Sequence, residues 1–290
     1  MNKKFLCPIW LLLFFISAAA AQSNSNSSPD SSSGSINPAP PQGATVEQII
    51  QRFAAKEKDF KIARDHYTYR QSVKVQTLDG SAVDGEFQMV SDILFDNQGK
   101  RIERVLYAPQ STLQRVEMSK EDYADIQDRM PFVLTTEEIP EYQILYVGQQ
   151  HVDELDTYVF DLAPRQILKD HRYFQGRIWV DNQDLQIVKT YGKIVPETKN
   201  TNPKKNKQEN LFPRFTTYRE QIDGKYWFPT YTRADDVLHF SDGQDVHLRI
   251  IVKYTDYHRF GADVKITFEG QDISNNAKTQ SKNGTAAPAK

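Results

Sequence analysis

The side chains of this chain that could do chemistry are scattered along it. Its six histidines, His66, His151, His171, His239, His247 and His258, contain no pair at the one-turn spacing that lets two imidazoles hold a metal ion from one helix face, and no run matches a zinc-protease or calcium-loop pattern. His239 and His247 can face each other across the turn at Ser241 to Gly243 with Asp245 nearby, an arrangement that reads as an exposed strand pair. The acidic neighbours Asp153 with Glu154 and Asp235 with Asp236 have the types needed for acid and base in glycoside cleavage. Adjacent residues on a strand point to opposite faces, so neither pair can flank one bond. No Gly-x-Ser-x-Gly elbow and no phosphate-cradling glycine loop occurs. The expectation is a non-catalytic protein without a metal or cofactor.

The one cysteine, Cys7, lies at the start of an apolar run from Phe5 to Ile16. Lys3 and Lys4 precede that run, and Ala18 to Ala21 follow it, the order of a cleavable export signal over residues 1–21. A retained anchor would need roughly 20 apolar residues, so no transmembrane span is expected in the mature chain. Lipidation at Cys7 would leave no hydrophobic segment for export, and cleavage after Ala21 leaves no thiol for disulfides, catalysis or metal binding. The expected location is the periplasm.

Residues 22–43 are rich in Ser, Asn, Pro and Gly and read as a disordered linker; residues 271–290 read as a disordered tail. The span 44–270 between them is long enough for one substantial core. The whole chain carries a net charge of −2, and loss of Lys3 and Lys4 makes it more acidic still. That balance excludes a nucleic-acid partner, which requires a concentrated basic surface. The basic cluster Lys204, Lys205 and Lys207 reads as part of a solvated loop.

The span opens with a helix that Thr45 caps with Gln48, placing Val46, Ile49, Ile50 and Phe53 on one face, either as core or as a lid over a cavity. The period then changes to two. Strands are expected at 67–75, 86–95, 101–107, 142–152, 157–162, 174–181, 185–195, 214–222, 226–232 and 246–258, with a second short helix after Ser119 and Asp122. Short turns, including Asp-Gly at 223–224 and 242–243, force antiparallel neighbours. The fold class is mainly β: an unclosed antiparallel β-barrel, a half-barrel meander of about 9–11 strands with a helical lid.

Such a trough encloses a space. The residues expected to point into it are Phe87, Met89, Ile144, Tyr146, Tyr158, Phe160, Ile178, Val180, Phe215, Trp227, Leu248 and Ile250. They either line an apolar pocket or simply fill the interior, and plain core is the reading that their burial energy favours. An exported carrier has a clear physical motive: each methylene of an acyl chain costs roughly 0.8 kcal/mol to expose to water.

The stretch from Phe174 to Asp181, Phe-Gln-Gly-Arg-Ile-Trp-Val-Asp, followed by Asp184-Leu-Gln-Ile-Val-Lys189, resembles the central hairpin of the periplasmic lipoprotein-sorting family, which includes the carrier LolA and its outer-membrane receptor LolB. Phe174, Gly176, Trp179 and Asp181 carry the resemblance. In structural terms alone they are strand residues and a turn-capping carboxylate. The resemblance implies an unclosed barrel with a helical lid, an apolar cavity, and binding of a lipid or acylated protein without covalent chemistry. The fold is similar also to the sensor domain of the envelope regulator RseB, which implies a sensory or structural module acting through an envelope protein partner, its barrel filled by its own side chains.

Overall fold

The computed structural model describes residues 33–96, 98–198, 209 and 211–260, together with the backbone of the short pair 267–268 and 271–272. The expected signal peptide, the first part of the linker, the lysine cluster at 204–207 and most of the tail lie outside these residues.

Ten strands form one antiparallel sheet: β1 (Tyr67–Asp79), β2 (Ala82–Phe95), β3 (Arg101–Tyr107), β4 (Tyr142–Val152), β5 (Leu155–Pro164), β6 (Tyr173–Asp181), β7 (Ile187–Val195), β8 (Phe215–Ile222), β9 (Tyr226–His239) and β10 (Asp245–Arg259). Their spatial order is β3-β2-β1-β10-β9-β8-β7-β6-β5-β4, and the end strands β3 and β4 do not pair. The barrel is unclosed. From β4 to β10 every sequence neighbour is a spatial neighbour, as short turns require; β1 then pairs with β10, Val75 opposite Ile250.

Helix α1 (Val46–Arg64) begins at the capping box of Thr45 and Gln48. It buries Ile49, Phe53, Ala54 and Phe60, spaced to share one face of a 3.6-residue period. Phe53 meets Phe160 of β5 at 5.5 Å between ring centroids, and Phe60 meets Phe228 of β9 edge-on at 5.1 Å. The same stripe carries one charge inward: Glu57 is fully buried. Its carboxylate accepts from the Ile187 N–H at 3.0 Å and from Arg219 Nη1 at 3.1 Å. Arg219, on β8, also donates to the Phe132 carbonyl and lies 5.0 Å over the Phe60 ring. Burial pushes the Glu57 pKa up, and Arg219 and the Ile187 amide pull it back only in part. Helix and sheet are thus tied by an ion pair enclosed in apolar side chains.

Helix α2 (Lys120–Ala124) starts at a second capping box, Ser119 with Asp122, and runs directly into a π-helical turn at Asp125–Arg129. The wide turn places Asp125 and Ile126 in the interior together.

Residues 33–43 of the expected linker are among the described residues. Ser33 bridges to Val152 and Asn37 to Gln149, with the Asn37 and Gln149 amides each donating to the other's carbonyl at 2.8 Å. This stretch covers the outer edge of β4. At the opposite end of the sheet, β3 leaves Ile102, Val105, Leu106 and Tyr107 exposed.

Candidate functional site

The hairpin β6–β7 shows why its residues have the types they do. Gly176 and Gly192 sit opposite one another; a Cβ on Gly176 would lie 2.2 Å from the Tyr191 carbonyl oxygen, and one on Gly192 would lie 2.7 Å from the Phe174 ring. Gly192 makes room for Phe174, which is buried and stacked on Phe132 at 4.4 Å, and Gly176 makes room for the Tyr191–Gly192 backbone. Asp181 caps the turn, its Oδ2 accepting from the Gln183 N–H at 3.1 Å and the Asp184 N–H at 2.6 Å. Trp179 points to the outer face, where its Nε1 donates to Gln150 at 2.7 Å and Lys189 sits 5.0 Å over its ring. All four motif residues have structural work to do.

The residues expected to point inward divide into three groups. Phe87, Phe160, Ile178, Val180, Phe215, Leu248 and Ile250 are buried in one core. Met89, Ile144, Tyr146 and Tyr158 are partly buried and pack against it. Trp227 is a correction: it lies on the opposite face with Val152, Val159, Trp179 and Val188, its indole N–H donating to Asp184 at 2.9 Å. The neighbouring Phe228 takes the inward position instead. Alternation along β9 agrees with this, since Thr232, Ala234 and Leu238 share the buried face with Phe228, which puts Trp227 one residue out of phase.

Within the trough, α1 fills one end. A cavity of about 1100 Å³ lies at the other. Its floor is the concave sheet surface at Val75, Leu238, Leu248 and Ile250; Leu113, Met118 and Ile126 form one wall, and Leu211, Phe212 and Phe240 another. Of the inward residues predicted from sequence, Leu248 and Ile250 line it. Leu113, Met118, Leu211 and Phe212 of its walls come from connecting segments, whose composition shows no periodicity.

The rim is polar. Arg115 pairs with Asp84 at 2.7 Å. Arg172 engages Asp125 through Nε at 3.2 Å and also through Nη2, and its Nη1 donates to the Pro196 carbonyl at 3.3 Å; Arg129 reaches the same carboxylate at 3.0 Å. Burial pushes the Asp125 pKa up, with Arg172 and then Arg129 opposing. These ties join the π-helical turn to the segment before β6 and to the segment after β7, holding two walls of the cavity together.

The histidines do not converge. His239 Nδ1 contacts Asp245 at 2.7 Å, and His247 contacts Asp235, which Arg249 also engages at 3.0 Å. Asp236 instead accepts from the Arg214 N–H at 3.0 Å. Among the described residues no group of three metal-ligating side chains comes together, and no helix is long and apolar enough to cross a membrane.

No family model matches the chain, and no curated protein matches it. Among solved structures, a DUF1329 family protein from Desulfovibrio piger is similar over 77% of this chain and 95% of its own, at 14% identity and a TM-score of 0.39. An outer membrane lipoprotein-sorting protein domain from Vibrio parahaemolyticus is similar over 72% and 92%, at 12% identity and a TM-score of 0.33. MucB is similar over 71% and 92%, at 12% identity and a TM-score of 0.23; its complex with MucA is matched as well. At this level the likeness is one of fold.

Proposed function

We propose that the protein is an exported, non-catalytic binding protein for a hydrophobic ligand such as an acyl chain or an acylated protein, and that the ligand occupies the cavity between β9–β10 and the segments at 113–126 and 211–213. The observation that carries this reading is the cavity itself: about 1100 Å³, just above the ~300–1,000 Å³ usual for ligand sites, with an apolar floor built from the concave face of an unclosed sheet. Water in contact with Leu238, Leu248 and Ile250 is released when an apolar ligand covers them, a gain of roughly 25 cal/mol per Å² of apolar surface removed from water. The order of Lys3, Lys4, apolar run and small residues supports export to the periplasm.

A second reading has an observation of its own. Because α1 packs Phe53 against Phe160, much of the trough is filled by the chain's own side chains, which is what a sensory or structural module acting by protein contacts requires.

Native mass spectrometry of protein purified from the periplasm without detergent, with organic extraction of any released species, tests the first reading. A bound species with an acyl-chain mass is the expected result. Protein that arrives empty and ignores added lipid would leave the second reading in its place.

A further inference from the structure

The connections of an antiparallel meander alternate between the two ends of its strands. Those of β4–β5, β6–β7 and β8–β9 turn at one end, where the Asn182 N–H donates to the Asp156 carbonyl at 3.0 Å. Those of β5–β6, β7–β8 and β9–β10 turn at the other, and all three contribute to the cavity: Asp170 and Arg172 from the first, Leu211 and Phe212 from the second, Asp242 from the third. The stretch between β3 and β4 adds Glu117 and Ile126. The mouth of the cavity is therefore ringed by connecting segments.

Charge is distributed unevenly around this mouth. Six carboxylates line the cavity: Glu117, Glu121 and Asp122 from the stretch between β3 and β4, and Asp170, Glu209 and Asp242 from the three connections. Glu117, Glu121, Asp170 and Asp242 are exposed, and none of the six is in an ion pair with a described residue. Two cations line the cavity, and each already faces a carboxylate from outside the lining. Arg115 faces Asp84 at 2.7 Å, and Arg172 faces Asp125, which Arg129 also reaches at 3.0 Å. His171, the other titratable side chain of the lining, has its Nδ1 3.1 Å from the Lys169 carbonyl oxygen. These counts are of described residues, outside which Lys204, Lys205 and Lys207 fall.

No three of these acids come together as a metal-ligating group. Spread over four segments, they act as a field across the mouth and not as an ion site. Apolar walls of low dielectric constant focus such a field, and Val75, Leu238, Leu248 and Ile250 lie beneath this negative rim. A molecule whose apolar chain covers the floor while a cationic group stays at the rim gains from both. An anionic head at the same place is repelled, so the rim discriminates by repulsion as well as by attraction.

Resting on the proposal that the cavity binds a hydrophobic ligand, we infer that this ligand is a cationic amphiphile, its apolar chain over Leu238, Leu248 and Ile250 and its positive group at the rim formed by Glu117, Glu121, Asp170 and Asp242. A free alkylammonium and an acyl chain on a basic peptide share this chemistry, and the test separates them. Decyltrimethylammonium is compared with decyl sulfate, and N-decanoyl peptides ending in Gly-Lys-Lys-amide, Gly-Gln-Gln-amide and Gly-Glu-Glu-amide are compared with one another. All compete with a neutral fluorescent apolar probe on the purified protein, below their micelle concentrations. At about 0.01 M ionic strength, where the screening length is about 30 Å, the cationic member is expected to bind at least tenfold more tightly than the anionic one, with the neutral peptide between. At about 0.15 M, where that length is about 8 Å, the ratio should fall at least threefold. Combining Glu117→Gln, Glu121→Gln and Asp170→Asn should lower the ratio at least fivefold. Combining Asp59→Asn, Asp153→Asn and Glu154→Gln changes the net charge equally, on α1 and at the opposite end of the strands, and should leave the ratio as it is. A preference confined to the ammonium assigns a free amphiphile, and one confined to the peptides assigns an acylated protein. Equal affinities, an anionic preference, or a ratio that the rim variant does not move would overturn the inference and leave the binding function standing. If neither the probe nor any competitor binds, the binding function falls and this inference with it.

Discussion

Glu57 of α1 and Arg219 of β8 form an ion pair at 3.1 Å in which neither side chain is more than 1% exposed. The pair is the polar centre of an otherwise apolar contact between the helix and the sheet. Removing one partner leaves the other charged and buried, which costs about 3–5 kcal/mol. Arg219→Met and Glu57→Leu alone are therefore expected to lower the urea midpoint sharply. The double variant, which removes both charges, should recover most of the loss. Equilibrium urea unfolding of the three variants checks this; a double variant as weak as the sum of the singles would refute the coupling.

The two ends of the trough should respond differently to substitution. Phe160 is fully buried against Phe53, so Phe160→Ala should cost about 3–5 kcal/mol through transfer and cavity terms. It should leave the affinity for an apolar probe within about twofold. Leu238 lines the cavity, and Leu238→Trp adds volume where there is space for it. That variant should keep its stability within about 1 kcal/mol of the parent and lose probe affinity about tenfold. Titration with N-phenyl-1-naphthylamine beside thermal unfolding separates the two effects.

Much of this layout is legible in the residues, and the exceptions have physical causes. Both capping boxes, at Thr45 and Ser119, announce their helices because the cap and the residue three positions on satisfy orphan amides in a local pattern. The strands are legible from alternation and their order from turn lengths too short for crossovers. Trp227 escapes because it and Phe228 are adjacent large aromatics, either of which suits an inward position until the continuation of β9 through Thr232, Ala234 and Leu238 fixes the phase. Glu57 escapes because a charged residue on a helix face reads as solvent-facing until Arg219, 162 positions later, is brought beside it. The cavity walls escape because residues such as Leu113 and Leu211 come from segments without periodicity.

Asp92 of β2 is bonded by Arg104 and by Arg70, the latter at 3.0 Å. Partial burial works to raise its pKa, but the two arginines outweigh burial and hold the carboxyl below its ordinary value. A depressed carboxylate stabilises the fold above its unfolded pKa and loses that contribution as pH falls through the folded one. Asp92→Asn should therefore be less stable than the parent by about 1 kcal/mol at pH 7. The gap should narrow as pH drops below about 4. Urea unfolding of both proteins from pH 7 to pH 2.5 gives the measurement, and a gap independent of pH would contradict the assignment.

Gly148 of β4 has φ +150°, and a Cβ there would lie 2.3 Å from the Asn37 carbonyl oxygen and 2.9 Å from the Ile36 side chain. The ladder between β4 and β5 is irregular at this residue, Tyr146 pairing with Phe160 and Gly148 with Val159, so the outer edge bends toward the segment at 33–39. That segment is held by the Asn37–Gln149 amide pair, by Gln150 donating to the Gly34 carbonyl at 2.7 Å, and by the Tyr146 hydroxyl donating to the Ala39 carbonyl at 3.0 Å. None of these bonds belongs to the ten-stranded ladder, so the segment can detach while the sheet persists. Gly148→Ala is expected to raise amide exchange at Gly34, Asn37 and Gln149 at least tenfold. Exchange at Val159 and Trp179 should be nearly unchanged, because β5 keeps its pairing with β6. Equal acceleration in β5 and β6 would mean that the edge segment and the sheet unfold together, and that the chain before α1 is part of the barrel's cooperative core.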